Sequence, residues 1–311
     1  MKTVVIALGG NAILQPKQKG TIEEQMANVS YSAQQIVKLI QAGYRVVIAH
    51  GNGPQVGNIL LQNAAARDQV PAMPLDVCGA ESQGLIGYMI QQCIGNELAK
   101  AGLDKQVATV LTQVVVDRND PAFQNPTKPV GAFYSQEEAE KNMKEKGETW
   151  IEDSGRGWRK VVPSPAPKEI SEIDTIRTLV ENGVIVIAAG GGGIPVEKKG
   201  NQLAGVEAVI DKDLASALLA KQLGADILVI ATDVSHVAIN WGKPDQKDLE
   251  TLTVEEAKTY LDEGQFGKGS MGPKVEAALG FVESGGEALI TSLANLEAGV
   301  KGESGTRIIK G

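Results

Sequence analysis

Residues 4–12 read VVIALGGNA, an apolar segment that runs directly into a pair of glycines. The same arrangement recurs as RVVIAHGNGPQ at residues 45–55 and as VIVIAAGGGGIPV at residues 184–196. Continuous apolar runs of this length are typical of buried parallel strands, and glycine lets the following loop turn tightly and present its amides to an anion. Three such strand ends predict a site for a polyanion such as phosphate at the carboxyl edge of an α/β sheet.

Strands alternate with helices on both sides of one irregular segment. Before it, strands are predicted at residues 3–8, 45–50 and 107–116, and helices from residue 21, from residue 54 and over 75–101. After it, strands are predicted at residues 184–189, 206–210, 226–231, 237–240, 287–291 and 306–310. The helices between them are predicted from a cap at Ser171 to residue 183, and at residues 213–223, 254–263 and 273–284. This alternation predicts a parallel sheet with helices on both faces.

The irregular segment spans residues 117–167. It holds nearly half of the chain's 13 prolines, a short charged helix predicted at residues 135–146, and two of the three tryptophans. About fifty residues are too many for a simple connection in a compact domain. The segment is therefore expected to be a small insert or lid.

Composition narrows the range of functions. The 311 residues carry a formal net charge of −8, which argues against a nucleic-acid partner. Cys78 and Cys93 stand alone in a helical pattern, which favours two buried thiols over a disulfide or a zinc site. Apolar runs stay below about 18 residues and Met1 leads straight into a strand, so we expect no membrane association and a cytoplasmic location.

The common nucleotide-binding motifs do not explain the chain. The phosphate-binding pattern GxxxxGK[ST] is absent from the sequence. Gly267, Gly269 and Gly272 match the dinucleotide pattern GxGxxG, but they follow a predicted helix where that motif needs a strand. The segment is better interpreted as a glycine loop that leads into a helix with Lys274 in its first turn, which suits phosphate, or as a plain connection between helices.

Two further lysines occur where an anion site would need positive charge. Lys128 lies between prolines in NPTKP, and Lys212 lies between Asp211 and Asp213, with Asp213 expected to cap the next helix. A single lysine is more often a solvated surface charge than a functional group. The placement of Lys128, Lys212 and Lys274 in loops near glycine turns is what favours a functional role.

The chain has only two histidines, His50 and His236. Each lies at the edge of a predicted strand, where a structural imidazole is commoner than a catalytic one, and their spacing fits neither a metal site nor a Ser-His-Asp triad. An enzyme built on this sequence is therefore expected to work without a histidine base. Phosphoryl transfer to a nucleophile that is already anionic meets that condition.

Taken together, eight motifs resemble those of the carbamate kinases, a branch of the amino-acid kinase superfamily. They are LGGNAI (8–13), AHGNGPQVG (49–57), PLD (74–76), QVATVLTQVVVD (106–117), NPTKP (125–129), GRGWRKVVPSP (155–165), GGGGIP (190–195) and VEAVIDKD (206–213). The glycine loops are shared across the superfamily, whereas NPTKP, GRGWRKVVPSP and the IDKD of the last motif are more particular to carbamate kinases. The similarity extends from about residue 3 to about residue 309.

The resemblance implies a three-layer αβα sandwich with a mainly parallel eight-stranded sheet and a small protruding subdomain. The whole chain, residues 1–311, would be one domain with two halves: residues 1–183 for carbamoyl phosphate, including the subdomain at 117–167, and residues 184–311 for nucleotide. It also implies a homodimer. The implied reaction is reversible phosphoryl transfer between carbamoyl phosphate and ADP, giving ATP, ammonia and carbon dioxide, commonly in arginine breakdown.

The resemblance also assigns residues to roles. Carbamoyl phosphate would be bound by Gly9, Gly10, Asn11, Gly51, Asn52, Gly53 and Lys128. Catalysis would involve Lys128, Lys212, Asp213 and Lys274, with Asp213 orienting the lysines. Nucleotide would be bound by Gly190, Gly191, Asp211, Lys212, Asp233, Trp241, Met271 and Lys274, and Mg²⁺ would be carried on the phosphates of ATP or ADP.

Two alternatives stay open. The chain could be another amino-acid kinase acting on acetylglutamate, glutamate or aspartate, although such substrates need recognition groups that a carbamate does not. It could also be a metabolite-binding regulator that kept the fold without turnover. The three lysines argue against a regulator, because a sensor has no need to stabilise a transition state.

Overall fold

The structure, a computed structural model, describes residues 1–153, 155–267 and 269–311. Its strands are β1 (Thr3–Leu8), β2 (Arg45–His50), β3 (Val107–Thr109), β4 (Gln113–Val116), β5 (Lys128–Tyr134), β6 (Thr149–Glu152), β7 (Trp158–Val162), β8 (Pro167–Ile170), β9 (Ile185–Ile187), β10 (Ile194–Lys199), β11 (Gln202–Gly205), β12 (Ile227–Thr232), β13 (Val237–Ile239), β14 (Lys247–Leu249), β15 (Thr251–Thr253), β16 (Glu287–Ser292) and β17 (Thr306–Ile309). Its α-helices are α1 (Ile22–Gln41), α2 (Gly53–Ala66), α3 (Leu75–Lys100), α4 (Gln136–Lys146), α5 (Ile173–Glu181), α6 (Lys212–Leu223), α7 (Val254–Asp262), α8 (Met271–Val282) and α9 (Leu296–Lys301).

An eight-stranded sheet forms the centre of the molecule. Its order is β15-β17-β16-β12-β1-β2-β9-β3, and the neighbours pair in parallel except for β16 with β17. A second sheet, β11-β10-β4-β8, lies beside it. The expected α/β class and the mainly parallel eight-stranded sheet are confirmed.

Two apolar cores cover the two faces of the central sheet. Along β1, Val5 and Ala7 point into one core, whereas Val4 and Ile6 point into the other. The first core packs against α5, α6 and α8, and the second against α1, α3 and α9. This period of two in a fully apolar strand is what a sheet buried on both faces requires. The structure is therefore the predicted three-layer sandwich.

Helix starts follow the capping signals of the sequence in some places and depart from them in others. Thr21 and Glu24 form a reciprocal capping box at the start of α1, as the spacing predicts. The predicted cap at Ser171 is wrong: α5 begins at Ile173 after Glu172, which makes no side-chain cap hydrogen bond. Glu172 instead accepts hydrogen bonds from the backbone and the side chain of Gln113, so it ties α5 to β4.

Two strand predictions are corrected. Residues 107–116 form two strands, because the chain leaves the central sheet after β3 and β4 pairs with β10 and β8 in the second sheet. Residues 206–210 form no strand, although Val206, Ala208 and Ile210 are all buried. Every second residue of this segment is buried in the core, but the segment forms no ladder of hydrogen bonds with a neighbouring strand. The alternating apolar pattern therefore indicated burial and did not indicate strand pairing.

The small subdomain consists of the antiparallel sheet β5-β7-β6 and α4. It packs on α2 and the start of α3 through a small apolar cluster that includes Val130 and Val162 from the subdomain and Val56 and Ile59 from α2. β5 and α2 approach closely at two glycines, since a Cβ on Gly57 would lie 3.4 Å from the Cα of Gly131. This confirms the small protruding subdomain, while the division of the chain into two ligand-binding halves stays a prediction.

Within the described residues, no helix combines the length and the apolar character needed to cross a membrane.

Candidate active site

The loop after β1 lies at the carboxyl edge of the central sheet. A Cβ on Gly9 would lie 3.2 Å from the carbonyl oxygen of Ala231, at the end of the neighbouring strand β12. Glycine therefore lets this loop pass close to β12. The Asn11 side chain donates a 2.6 Å hydrogen bond to Asp233, which also follows β12. The first glycine loop is thus joined to the strand that leads into the C-terminal part of the sheet.

The loop after β2 lies beside the first one. The amide of Gly51 donates to the carbonyl of Leu8 at 3.1 Å, and α2 begins at Gly53 with Asn52 as its N-cap residue. Asn52 donates its side-chain amide to Ser82 at 2.8 Å. The N-terminus of α2 therefore adds the positive end of a helix dipole to the site, as an anion needs.

His50 supports this loop from below. Its Nδ1 lies 2.9 Å from the carbonyl oxygen of Gly51 and its ring is buried. Burial is the main cause that lowers the pKa of His50 to about 4; the hydrogen bond to Gly51 opposes this shift and the nearby charge of Lys212 adds to it. The ring is therefore neutral at pH 7, and its structural role stays a prediction.

The third glycine cluster, residues 190–193, packs underneath the β2 loop. A Cβ on Gly190 would lie 2.3 Å from Nε2 of His50, and a Cβ on Gly191, whose φ is +66°, would lie 2.2 Å from the Asn52 side chain. Glycine is required at both places for lack of space. The nucleotide contacts of Gly190 and Gly191 stay a prediction, and both residues pack against the β2 loop.

Asp211 stands at the N-terminus of α6. Its Oδ1 accepts from the backbone amides of Asp213 at 2.8 Å and Leu214 at 3.4 Å, so Asp211 is the N-cap residue. The prediction that Asp213 caps this helix is wrong, because Asp213 is already inside the first turn. The other oxygen of Asp211 accepts from Nζ of Lys128 at 2.9 Å.

Asp213 joins the other two lysines. Its Oδ1 lies 2.5 Å from Nζ of Lys212 and its Oδ2 lies 2.9 Å from Nζ of Lys274, in the first turn of α8. Burial tends to raise the pKa of Asp213, but the two ammonium groups outweigh burial, and its pKa lies below the ordinary value. Burial lowers the pKa of Lys212, against the opposing effect of Asp213. We call Lys212, Asp213 and Lys274 the buried triad.

The buried triad faces the glycine loops. A Cβ on Gly51 would lie 3.4 Å from Cδ of Lys212 and 3.6 Å from the amide nitrogen of Gly10. The lysine stem therefore crosses the β2 loop next to the β1 loop. Two loops with backbone donors and three lysines from different regions of the chain converge at this edge of the sheet.

A cavity of about 290 Å³ opens on the C-terminal side of the triad. Its lining includes Asp233, Trp241, Phe266, Met271 and Lys274. Four of these were predicted as nucleotide contacts, and the structure brings them to one cavity. Phe266 was not anticipated, because an aromatic residue after a helix has no distinguishing signal in one sequence. Lys268, inside the predicted glycine loop, lies outside the described residues.

Sequence reasoning also missed the polar side chains that hold the glycine loops in place. Gln83, on α3, donates to the carbonyls of Gly190 at 3.0 Å and Thr112 at 3.2 Å, and it accepts from the amide of Thr112. The Thr112 hydroxyl accepts from the amide of Ala189, whose φ is +51°. A polar residue in a helical pattern looks like a solvated one, so only the fold shows that Gln83 is buried.

Comparisons with known proteins agree with this geometry. The amino acid kinase family model matches residues 2–292. The chain is 59% identical over 314 residues to the carbamate kinase of Thermococcus kodakarensis, with 100% of both chains covered, and 53% identical over 312 residues to carbamate kinase 3 of Staphylococcus aureus, with 99% of both covered. The structure of carbamate kinase from Giardia lamblia bound to AMP-PNP matches with a TM-score of 0.95 and 51% identity, covering 100% of this chain and 99% of that one.

The fold and the matched model define the class: the chain belongs to the amino acid kinase family. Within that family it belongs to the carbamate kinases, since full-length relatives at 52–59% identity bear that name. The resemblance inferred from the motifs is thereby confirmed.

Proposed function

We propose that this chain catalyses reversible phosphoryl transfer between carbamoyl phosphate and ADP, giving ATP and carbamate, which yields ammonia and carbon dioxide. The observation that carries the proposal is the convergence of Lys128, Lys212 and Lys274 on the N-terminus of α6, beside the two glycine loops. The curated relatives described above are carbamate kinases, and a solved relative was bound to AMP-PNP. A use in arginine breakdown and a cytoplasmic location, where ADP and ATP are supplied, belong to the same proposal.

The chemistry requires no general base. A carbamate oxygen is already negative when it attacks phosphorus, so the barrier lies in aligning two anions and in neutralising the charge that moves between them. Fixed ammonium groups and backbone amides meet that need. His50 is buried and engaged with Gly51, which leaves it no part in proton transfer.

Each group has a place in this scheme. Backbone amides of Gly9, Gly10 and Gly53, with the side chains of Asn11 and Asn52, would hold carbamoyl phosphate, while Gly51, whose amide donates to Leu8, would shape the loop around it. Lys212 would neutralise the phosphoryl group during transfer, because its stem crosses the β2 loop beside Gly10. Lys274 would bind nucleotide phosphate from the first turn of α8, and Asp213 would orient both lysines.

The nucleotide would occupy the cavity beside Trp241 and Met271, with Asp233 and Lys274 toward its phosphates. Mg²⁺ would enter on those phosphates, where it supplies charge neutralisation. The carboxylates at the N-terminus of α6 fit this arrangement, since Asp211 and Asp213 are already paired with lysines. Asp211, as Lys128's partner, would contribute to the nucleotide side only indirectly.

A coupled assay tests the proposal. Purified protein is mixed with carbamoyl phosphate, ADP and Mg²⁺, and ATP is measured through hexokinase and glucose-6-phosphate dehydrogenase. We expect ATP formation that depends on all three additions and is lost in Lys212→Ala. ATP consumption with acetylglutamate, glutamate or aspartate but not with carbamate would identify a different amino-acid kinase, and no turnover with any of them would identify a binding protein.

We also propose a homodimer that forms through the exposed face of α3 and the edge strand β3. Tyr88 on α3 and Leu111, which follows β3, are exposed, and the groove between them is lined by glycine, glutamine, asparagine and threonine residues. In a chain of net charge −8, two copies repel each other least across an uncharged face. Sedimentation should give a dimer for the parent and a monomer for Tyr88→Glu; a parent that stays monomeric at micromolar concentration would contradict the proposal.

A further inference from the structure

Asp211 makes two kinds of contact with its two carboxylate oxygens. Oδ1 caps α6 through the backbone amides of Asp213 and Leu214, and Oδ2 accepts from Nζ of Lys128 at 2.9 Å. The two contacts are chemically separable. Asparagine caps helices as well as aspartate does, but its side chain is neutral and offers a single oxygen. Asp211→Asn therefore keeps the cap and removes the ion pair.

Lys128 is the first residue of β5, so the ion pair joins the small subdomain to the helix that carries Lys212 and Asp213. The subdomain also packs on α2 and the start of α3 through the small apolar cluster around Val56 and Val130, and the carbonyl of Pro163, just after β7, accepts from the amide of Val209 at 3.0 Å. The pair thus ties the subdomain to the proposed site at a point where an anionic substrate would bind.

The ion pair between Lys128 and Asp211, which we call the tie, is weak enough for another anion to replace Asp211. Lys128 and Asp211 both keep solvent access, and ion pairs of this kind contribute little net stability because water and salt screen them. A phosphate group that carries two negative charges is a stronger partner for one ammonium group than a single capping carboxylate. Arrival of such an anion would therefore draw Lys128 away from Asp211.

We propose that Asp211 is a positioning residue that holds Lys128, and with it the subdomain, against α6 in the ligand-free protein and yields the lysine to the anionic substrate. The identity of that anion rests on the function proposed above, whereas the tie itself does not. Two experiments separate these parts.

The first experiment uses no substrate. Chymotrypsin cleavage within residues 117–167 is timed and located by mass spectrometry in the parent, Asp211→Asn, Lys128→Ala and the double variant. Each single variant should be cleaved about two- to fivefold faster, as loss of a partly exposed ion pair predicts, and the double variant no faster than either. An unchanged rate in Asp211→Asn, or a double variant that shows the product of the two single effects, overturns the tie.

Glu148→Gln is the matched control. Glu148 pairs with Lys160 at 3.0 Å and the two have nearly the same exposure as Asp211 and Lys128, but both lie inside the subdomain. Its cleavage rate should equal that of the parent. If it rises as much as that of Asp211→Asn, cleavage reports general loosening of the subdomain and the tie is overturned.

The second experiment measures KM for carbamoyl phosphate. Asp211→Asn should lower KM about two- to fivefold, because the substrate no longer competes for Lys128, and the effect should vanish in a Lys128→Ala background. An equal decrease in that background would show simple removal of a repelling charge and overturn the release step. If no variant uses carbamoyl phosphate, the proposed function fails and the cleavage rates still decide whether the tie exists.

Discussion

The site contains two kinds of lysine-carboxylate contact, and they differ in burial. In the buried triad, the side chains of Lys212, Asp213 and Lys274 are 16%, 5% and 16% exposed, whereas Lys128 and Asp211 are 37% and 18% exposed. Removing one partner from a buried ion pair costs about 3–5 kcal/mol, whereas surface pairs contribute about 0–1 kcal/mol, and the partly exposed Lys128 places its pair with Asp211 nearer the surface case. Burial therefore suits the triad to a permanent arrangement and suits the Lys128–Asp211 pair to exchange.

The difference follows from where the chain places each lysine. Lys212 and Lys274 lie in the first turns of helices that are packed into one core of the central sheet, so their stems are fixed before substrate arrives. Lys128 comes from a subdomain attached through a small apolar cluster. Preorganised charge lowers a barrier most effectively, while mobile charge is better suited to binding and closure.

The largest effect is expected at the triad. Lys212→Ala should lower kcat by about 100-fold or more with little change in nucleotide affinity, because the lost charge is needed mainly as the phosphoryl group transfers. Steady-state kinetics in both directions, with circular dichroism to verify folding, measure this. Lys212→Arg should also be poor, since a planar guanidinium does not replace a compact ammonium group.

Lys221→Ala is the control for that prediction. Lys221 lies on the same helix, in its last turn, and is exposed. Its replacement should leave kcat within the error of the parent. If Lys212→Ala behaves like this control, Lys212 has no part in the chemical step and the distinction between the two kinds of contact loses its functional meaning.

The second prediction concerns His50, which lies beneath the same loop. Its pKa is lowered from 6.5 to about 4 in the folded protein, so the unfolded chain binds more protons between those values and stability falls as pH drops through that window. The parent should lose about 2 kcal/mol of unfolding free energy from this residue between pH 7 and pH 5. Urea unfolding of the parent and of His50→Gln at both pH values measures the difference.

The unfolding free energy of His50→Gln should fall by about 2 kcal/mol less than that of the parent between pH 7 and pH 5, whatever the stability of the variant at pH 7. An equal loss in parent and variant would show that His50 is not buried and neutral as described. The comparison between pH values cancels the packing cost of the substitution, so a less stable variant still gives a clear answer.

The third prediction concerns the exchangeable pair. Lys128→Ala should raise KM for carbamoyl phosphate about tenfold and change kcat less, because a residue on an attached subdomain contributes mainly binding and closure. Lys160→Ala, which removes a similarly exposed lysine paired inside the subdomain, should leave KM unchanged. If Lys128→Ala raises KM for ADP and leaves KM for carbamoyl phosphate unchanged, the subdomain covers the nucleotide and the prediction is wrong.

Short sequence patterns predicted those parts of the site whose structure is determined by residues close together in the chain. The three apolar runs ending in glycine lie near the site as strands β1, β2 and β9, because buried parallel strands and tight loops each have a direct signature. The lysines of NPTKP, IDKD and the α8 start were also identified from their neighbours in the chain. Their convergence required the fold or the family resemblance.

Other features depend on long-range contacts and left no local signal. Asp211 and Asp213 are two residues apart and both plausible caps, and only the helix start shows that Asp211 is the cap while Asp213 joins two lysines. Residues 206–210 alternate like a strand but find no strand partner. Gln83 has the sequence pattern of a surface residue, although it holds Gly190 and Thr112.

The smallest effect is expected outside both kinds of contact. Cys78 and Cys93 are buried, and burial raises the pKa of each thiol, with Glu81 adding to the rise at Cys78 and Glu97 at Cys93, so neither forms a reactive thiolate readily. His236 accepts a hydrogen bond from the amide of Gly305, which glutamine can also do through its side-chain oxygen.

His236→Gln, Cys78→Ala and Cys93→Ala should therefore each leave the chemical step within about tenfold of the parent, since a carbamate oxygen attacks without a base. Single-turnover phosphoryl transfer against pH is the measurement, because it isolates the chemical step from any loss of stability at the buried cysteines. A rate that requires a group titrating near pH 6.5, and that is lost in folded His236→Gln, would mean that a histidine base operates. Fixed positive charge in the buried triad would then be insufficient by itself to account for catalysis.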